Sequence, residues 1–354
     1  MSFGRKERKN FLMALEFRYP EWIPFSVRFH YPLWKKYREK LEELVLRHPI
    51  VFPNYEKGEK DFDRVAPRLR AEYYKDDWGC LWHNAQGGMW GQVIESPLSD
   101  WKALDTYVPP DPLHKPGFWA YDTYETQNWE EITDKINELR EKGFLTVGYG
   151  EDLFTRLYWL RGFNNLCVDM CTDNSNLPKL IDLLWDYEKK LIRKWLDIGV
   201  DVMHFHTDMA TQQGLMISPA KFRQYLKPMF KDLFMTCRNA GTHVYLSGDG
   251  RMVDIVDDLI ECGVELHDPQ LGANTLEEIE KAYKRKMCAW VDINEQMFPF
   301  CKPEDIRNMI RETVERLYLP EGGLMIMCWV GGAEVPLENL EAMCKSVEEF
   351  CFGK

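Results

Sequence analysis

From Phe144 to its end the chain repeats one pattern, a short apolar run followed by a longer stretch with apolar residues at helical spacing. The runs are FLTVGYGE (144–151), DVMHFHT (201–207), THVYLSGDG (242–250), VELHDP (264–269), MCAWVDI (287–293) and LMIMCWV (324–330). Between them lie amphipathic stretches such as LPKLIDLLWDYEKKLIRKWLDIG. Another starts at Pro303, with Ile306, Met309, Ile310, Val314 and Leu317 on one face. Strands joined by helices pair in parallel, because a parallel crossover needs a dozen or more residues. Upstream, FSVRFH (25–30) and HPIVFPN (48–54) bring the expected strands to eight. Eight such units predict a closed (β/α)8 TIM barrel, an α/β fold in a single domain over 1–354.

The N-terminal third elaborates that plan. Residues 6–19 read as a helix, and Pro32 opens an amphipathic one through Leu33, Trp34, Tyr37, Leu41, Leu44 and Val45. Residues 55–112 change character, with DDWGCLWHN and GGMWGQVIES as aromatic segments of a hairpin inserted on the barrel.

Composition narrows the function classes. A net charge of −12 repels phosphate backbones, and nucleic acid is not an expected partner. No apolar run is long enough to span a bilayer, and the basic start lacks the apolar core of a signal peptide. The ten cysteines include no CxxC pair, as suits reduced thiols in a cytoplasmic protein. No strand is followed by a GxGxxG turn or a phosphate loop, so a nucleotide cofactor is not expected.

In a parallel α/β protein, side chains at the carboxyl ends of strands face the ligand crevice. DVMHFHTDMATQQGLMISP (201–219) places His204, His206 and Asp208 at such an end. Other strand ends contribute Tyr149, Glu151 and Asp152, then His243 and Asp249, and finally Glu295 and Cys328. Glu151 and Asp152 equally suit a helix cap, and one of the two histidines equally suits a wall position. A thiolate, a carboxylate and an imidazole from separate strands would give zinc three protein ligands and an open fourth position. For Cys328 a buried thiol between Met327 and Trp329 is the competing reading.

Several segments, in order, resemble the uroporphyrinogen decarboxylase superfamily, which includes cobalamin-linked methyltransferases. They are LFTRLYWLRGFNNLCVDM (153–170), DVMHFHTDMATQQGLMISPAKFRQYLKP (201–228), SGDGRMVDIVDDLIECGVELHDPQ (247–270) and VPLENLEAM (335–343). The resemblance implies a (β/α)8 barrel. The decarboxylases carry an arginine-rich stretch near the first strand, whereas this chain has FSVRFHYPLW, with only Arg28 to stand in. An eight-carboxylate tetrapyrrole is therefore not the expected substrate. The methyltransferase branch holds zinc on a His-x-Cys pair and a later cysteine. Here Ser247 and Asp249 occupy the pair's places, and Cys328 lies near the last strand's end.

The resemblance implies a methyltransferase, of the O-demethylase kind, moving a methyl group between a small methoxylated aromatic compound and a corrinoid carried by a partner protein. In that expectation Asp249, Cys328 and one of His243 or His206 hold zinc, and Asp208 and Asp249 act in catalysis. Arg28, Tyr149, Glu151, His204, His206 and Glu295 line the donor site, and the tryptophans of 78–90 either wall it or, as alternate aromatics usually do, pack as core. The alternatives are a cofactor-free decarboxylase of a smaller acid, using Asp208 or Asp249, and a non-catalytic corrinoid or methyl-compound binding protein.

Overall fold

A computed structural model describes residues 5–65, 69–85 and 90–352. The chain divides into two compact units, Met1–Arg5 with Ala66–His267, and Lys6–Val65 with Asp268–Lys354. Each carries its own set of parallel strands.

The first unit begins with a three-stranded antiparallel sheet, β2 (Tyr73–Lys75), β3 (Leu81–His83) and β4 (Gln92–Glu95). The expected hairpin is thus a three-stranded sheet, and Gly87, Gly88 and Met89 of its second aromatic segment lie outside the described residues. Two helices follow, α4 (Phe118–Tyr124) and α5 (Trp129–Glu141), before the parallel strand β5 (Val147–Asp152). Next come α6 (Leu153–Arg161), α7 (Phe163–Thr172) and α8 (Leu177–Ile198), then β6 (Val202–His206). Ser218 caps the next helix by accepting the Lys221 N–H, as its Ser-Pro start suggests. That helix passes through a π turn and continues as α10 (Lys227–Asn239), the opening turn being α9 (Pro219–Lys221). β7 (His243–Ser247), α11 (Val256–Cys262) and β8 (Leu266–His267) complete the unit. β5 pairs with β6, β6 with β7 and β7 with β8, all parallel.

Glycines in β5 decide how closely helices approach it. A Cβ on Gly148 would stand 2.9 Å from the Trp195 ring of α8, and one on Gly150 only 2.3 Å from Phe205. Trp195 uses this room to lie fully buried and donate its indole N–H to the Tyr149 carbonyl at 2.9 Å. Side chains alternate along β6, so Met203 and Phe205 take the helix-facing side, Phe205 lying 4.9 Å from Phe234 of α10. His204 and His206 share the opposite side.

The second unit opens with α1 (Arg5–Leu15) and β1 (Phe25–Phe29). The amphipathic helix expected from Pro32 is broken in two, α2 (Tyr31–Tyr37) and α3 (Glu39–Arg47), at Arg38 with φ +47°. HPIVFPN (48–54) forms turns, not the expected second strand, with the Val51 and Phe52 N–H groups both donating to the His48 carbonyl. Pro49 and Pro53 remove two ladder donors from a five-residue window, which leaves too little to pair. After α12 (Leu276–Tyr283), with its Thr275–Glu278 capping box, come β9 (Cys288–Asp292), α13 (Pro303–Leu317), β10 (Leu324–Val330) and α14 (Leu337–Val347). β10 pairs in parallel with both β1 and β9. The fold is α/β with seven parallel strands among the described residues, one fewer than the closed eight-stranded plan.

Candidate functional site

The carboxyl ends of β5, β6 and β7 bring polar side chains together within the first unit. Residues two apart on a strand share a face, so His204 and His206 point the same way. Neither turns to the outer wall. His204 stacks flat on Tyr245 at 4.3 Å and meets the Tyr149 ring edge-on at 5.6 Å. Burial, with help from the neighbouring His206, pushes its pKa well below the ordinary imidazole value, so the ring is neutral.

Ser247, the last residue of β7, joins the two imidazoles. Its Oγ lies 2.7 Å from His204 Nε2 and 2.8 Å from His206 Nδ1. A hydroxyl has a single proton, and with the Phe205 carbonyl also 3.4 Å away it can donate to at most one of the two rings. The far edge of His206 faces carboxylates, with Nε2 3.2 Å from Asp208 Oδ1 and 3.7 Å from Asp152 Oδ1. Ionised Asp208 can only accept, which puts a proton on His206 Nε2. With neutral His206 the order is then His204 N–H to Ser247, Ser247 O–H to His206, and His206 N–H to Asp208.

The three carboxyls differ by environment. Burial works against ionised Asp208, but its bond to His206 and the Asp249 N–H at 3.2 Å outweigh this and hold its pKa below the usual range. Asp152 is fully buried, and desolvation pushes it up to about 7 despite the pull of His206. Asp249 is also raised, by loss of water and then by the charge of Asp208.

Backbone packing sets these positions. The Asp208 N–H donates to Thr155 Oγ at 2.8 Å, and the Thr207 N–H to the Ser247 carbonyl at 2.9 Å. A Cβ on Gly248 would come within 2.2 Å of the Thr207 carbonyl oxygen, and Gly250 sits at φ +89°. The SGDG turn therefore needs its glycines to place Asp249 beside Asp208.

Aromatic side chains wall the cluster. Trp119 of α4 donates its indole N–H to Asp152 Oδ2 at 3.1 Å, and its ring lies 5.6 Å from His206 and 5.8 Å from half-exposed Trp90. Tyr158 of α6 is near enough to Asp208 and Asp152 for their charges to raise its pKa further, on top of burial.

Other expected site residues lie elsewhere. Glu151 is fully buried, and Arg156 donates to its Oε2 from Nε at 2.9 Å and Nη2 at 2.7 Å. It anchors the interior and presents nothing to a substrate. Tyr149 is buried behind His204. Arg28 and Glu295 belong to the second unit. Arg28 is exposed, 4.4 Å above the Trp329 ring, and Glu295 accepts the Gly331 N–H at 3.5 Å.

Within the first unit, His243 stands apart from the cluster at the strand ends. His243 opens β7 and Ser247 closes it, which separates them by roughly 13 Å at the usual rise of a strand. His243 Nδ1 instead lies 2.9 Å from Glu265. Cys328 is fully buried, its pKa well above the ordinary thiol value through burial and then the neighbouring Cys351. A desolvated thiol of that kind is packing material. Among the described residues no three His, Cys, Asp or Glu side chains are grouped so as to hold a metal ion.

A second acid lies beneath β5. Glu188 of α8 accepts the Glu151 N–H at 2.9 Å, and its pKa is raised to about 8 by burial and then by Glu151. The folded state therefore binds a proton here that the unfolded chain releases above its ordinary value near 4.5. Stability from this group is full below that value, falls as pH rises, and levels off beyond about 8. Glu188→Gln should be more stable than wild type at pH 9, with the gap closing toward pH 4.5. Urea midpoints measured across that range check it, and a constant difference would contradict it.

The pattern of one known family fits residues 121–350, more than half of the chain. The chain belongs to the uroporphyrinogen decarboxylase family. Among solved structures, this family member is similar to a methyltransferase from Methanosarcina mazei, with a TM-score of 0.63 at 16% identity, covering 97% of this chain and 98% of that one. A D-psicose 3-epimerase is more distantly similar, with a TM-score of 0.41 at 8% identity over 66% of this chain and 88% of the other. No curated protein matches the chain by sequence. No helix among the described residues is long and apolar enough to cross a membrane.

Sequence reasoning named His204, His206, Asp208 and Asp249 but gave Ser247 no role of its own. The available signal was its place in SGDG (247–250), where the resemblance leads one to expect a histidine. Trp119 had none, because α4 is remote in sequence from every strand it serves.

Proposed function

We propose that this protein takes a methyl group from a small methylated compound and passes it to a corrinoid carried by a partner protein. One observation carries the reading. His206 is held between Asp208 and Ser247 at the mouth of β6, under the aromatic wall of Trp119. The family assignment and the full-length likeness to a methyltransferase fold support it. Methyl transfer needs a nucleophile that attacks carbon and a leaving atom that keeps the bonding pair. The corrinoid's cobalt(I) supplies the nucleophile.

The leaving atom can be relieved in two ways by a pocket of this kind. An ether oxygen would take the Nε2 proton of a protonated His206, which then returns to the neutral imidazole, with Asp208 holding that proton in position and Ser247 accepting from Nδ1 behind it. A donor that is already positively charged needs no proton, and the carboxylates would then hold it. Decarboxylation of a small acid fits less well, because its carboxylate would enter beside Asp152, Asp208 and Asp249.

Mixing the protein with a cobalt(I) corrinoid protein and a panel of methoxyarenes, methylamines and quaternary ammonium compounds tests the reading. Conversion of the cobalt(I) spectrum to that of methylcobalt(III) with at least one donor class is expected. No conversion with any class would overturn it.

A further inference from the structure

We infer that the donor is a cation, a quaternary ammonium or comparable onium compound, bound in the box formed by Trp119, Trp90 and the carboxylates Asp152, Asp208 and Asp249. This deepens the methyl-transfer reading and rests on it for the reaction, though not for the binding.

Three independent features converge on a positive ligand. The first is charge, because Asp208 and Asp152 both face the Nε2 edge of His206, and the Asp249 backbone N–H bonds Asp208, which brings a third carboxyl to the same strand ends. The second is the floor of the box. Asp152 is fully buried, its Oδ2 accepts the Trp119 indole, and its Oδ1 faces the His206 edge at 3.7 Å with no hydrogen-bond donor among the described residues. Burial disfavours the ionised form of this carboxyl, and a cation bound against it would restore that form. The third is the wall. The Trp119 and Trp90 rings lie 5.8 Å apart at an interplanar angle of 57°, so they present two inclined π faces, not a flat slot. Inclined aromatic faces with nearby carboxylates suit a compact onium group, whose charge is spread over its methyl groups. A methoxyarene is flat and neutral, and would gain nothing from the carboxylates.

The chemistry agrees with the side chains available. In R–N⁺(CH3)3 the C–N bond breaks with its electron pair returning to nitrogen. The methyl carbon forms its new bond with the pair supplied by cobalt(I). The leaving group departs as a neutral tertiary amine, and no proton is taken up. His206 then serves as a positioning residue for Asp208.

Calorimetric titration of the full chain with choline, tetramethylammonium and 3,3-dimethylbutan-1-ol, the uncharged isostere of choline, tests the inference. Choline should bind at least about tenfold more tightly than the isostere, and Asp249→Asn should remove most of that difference. Trp119→Leu should weaken both cations by about tenfold, with unchanged circular dichroism showing that it folds. Equal binding of choline and its isostere, or no binding of either cation by the wild type, would overturn the inference. The methyl-transfer assay separates the two readings. Demethylation of methoxyarenes with cations ignored would sink this inference alone, and cation binding with no methyl transfer to cobalt would sink the reaction alone.

Discussion

Replacing Arg156 with methionine should destabilise the protein by about 3–5 kcal/mol, the cost typical of removing one partner from a buried charge network. Arg156 has no exposed surface. It donates twice to Glu151 and, from Nη1, to Asp76 Oδ2 at 3.0 Å, while its guanidinium lies 5.0 Å from the Trp78 ring and 4.8 Å from the Trp159 ring. Methionine fills much of the volume but leaves Glu151 and Asp76 buried without a cation. Lysine should rescue only part of the loss, because one ammonium cannot reproduce a planar fork that serves both acids. Combining Arg156→Met with Glu151→Gln and Asp76→Asn should recover most of it. Urea midpoints at constant slope provide the measurement, and a midpoint unchanged from wild type would refute the network's role.

The second large effect concerns His206. With an ether donor, His206→Gln should lower the rate of methyl transfer by about 10²–10⁴, the span typical of losing a general acid. Glutamine keeps a donor toward Asp208 but cannot carry and release a proton. With a quaternary ammonium donor the same substitution should cost far less, because no proton moves. The ratio of the two losses thus reports which donor class the site is built for. Equal, small losses with both classes would show that His206 has no part in the chemistry. Ser247→Ala supplies a check on the relay, since it detaches His204 and His206 from one another. It should alter the pH profile of an ether reaction while leaving cation binding intact.

Much of the fold is legible in the residues because the helix and strand periods are strong. The long face of Leu177–Ile198, the Ser218 cap and the β-branched runs all declare themselves locally. HPIVFPN misleads because its apolar residues look like a buried strand while two prolines remove the donors that a strand needs. Arg38 breaks the helix after Pro32 through a backbone conformation that no apolar spacing reveals.

The site is legible in part for the same reason. His204, His206, Asp208 and Asp249 follow from strand ends, which sequence locates well. Apolar spacing places a residue along its strand but does not give its depth. His243 sits at the wrong end of its strand, and Cys328, though near its strand's end, is shut in with Cys344 and Cys351. Glu151 and Asp152 are adjacent, yet alternation sends one into the Arg156 network and the other to His206. Which neighbour goes where depends on register, and that is fixed by packing partners far away in the chain.

The central claim is that the pocket of His206, Asp208, Asp152 and Trp119 delivers a methyl group to cobalt. The most direct measurement follows a ¹³C-labelled methyl donor by NMR through a single turnover with the cobalt(I) corrinoid protein. The account predicts the label on cobalt and the demethylated donor in equal amount, with both lost together in a folded Asp208→Asn, Asp249→Asn double variant. Label that stays on the donor, or carbon dioxide released in its place, would contradict it.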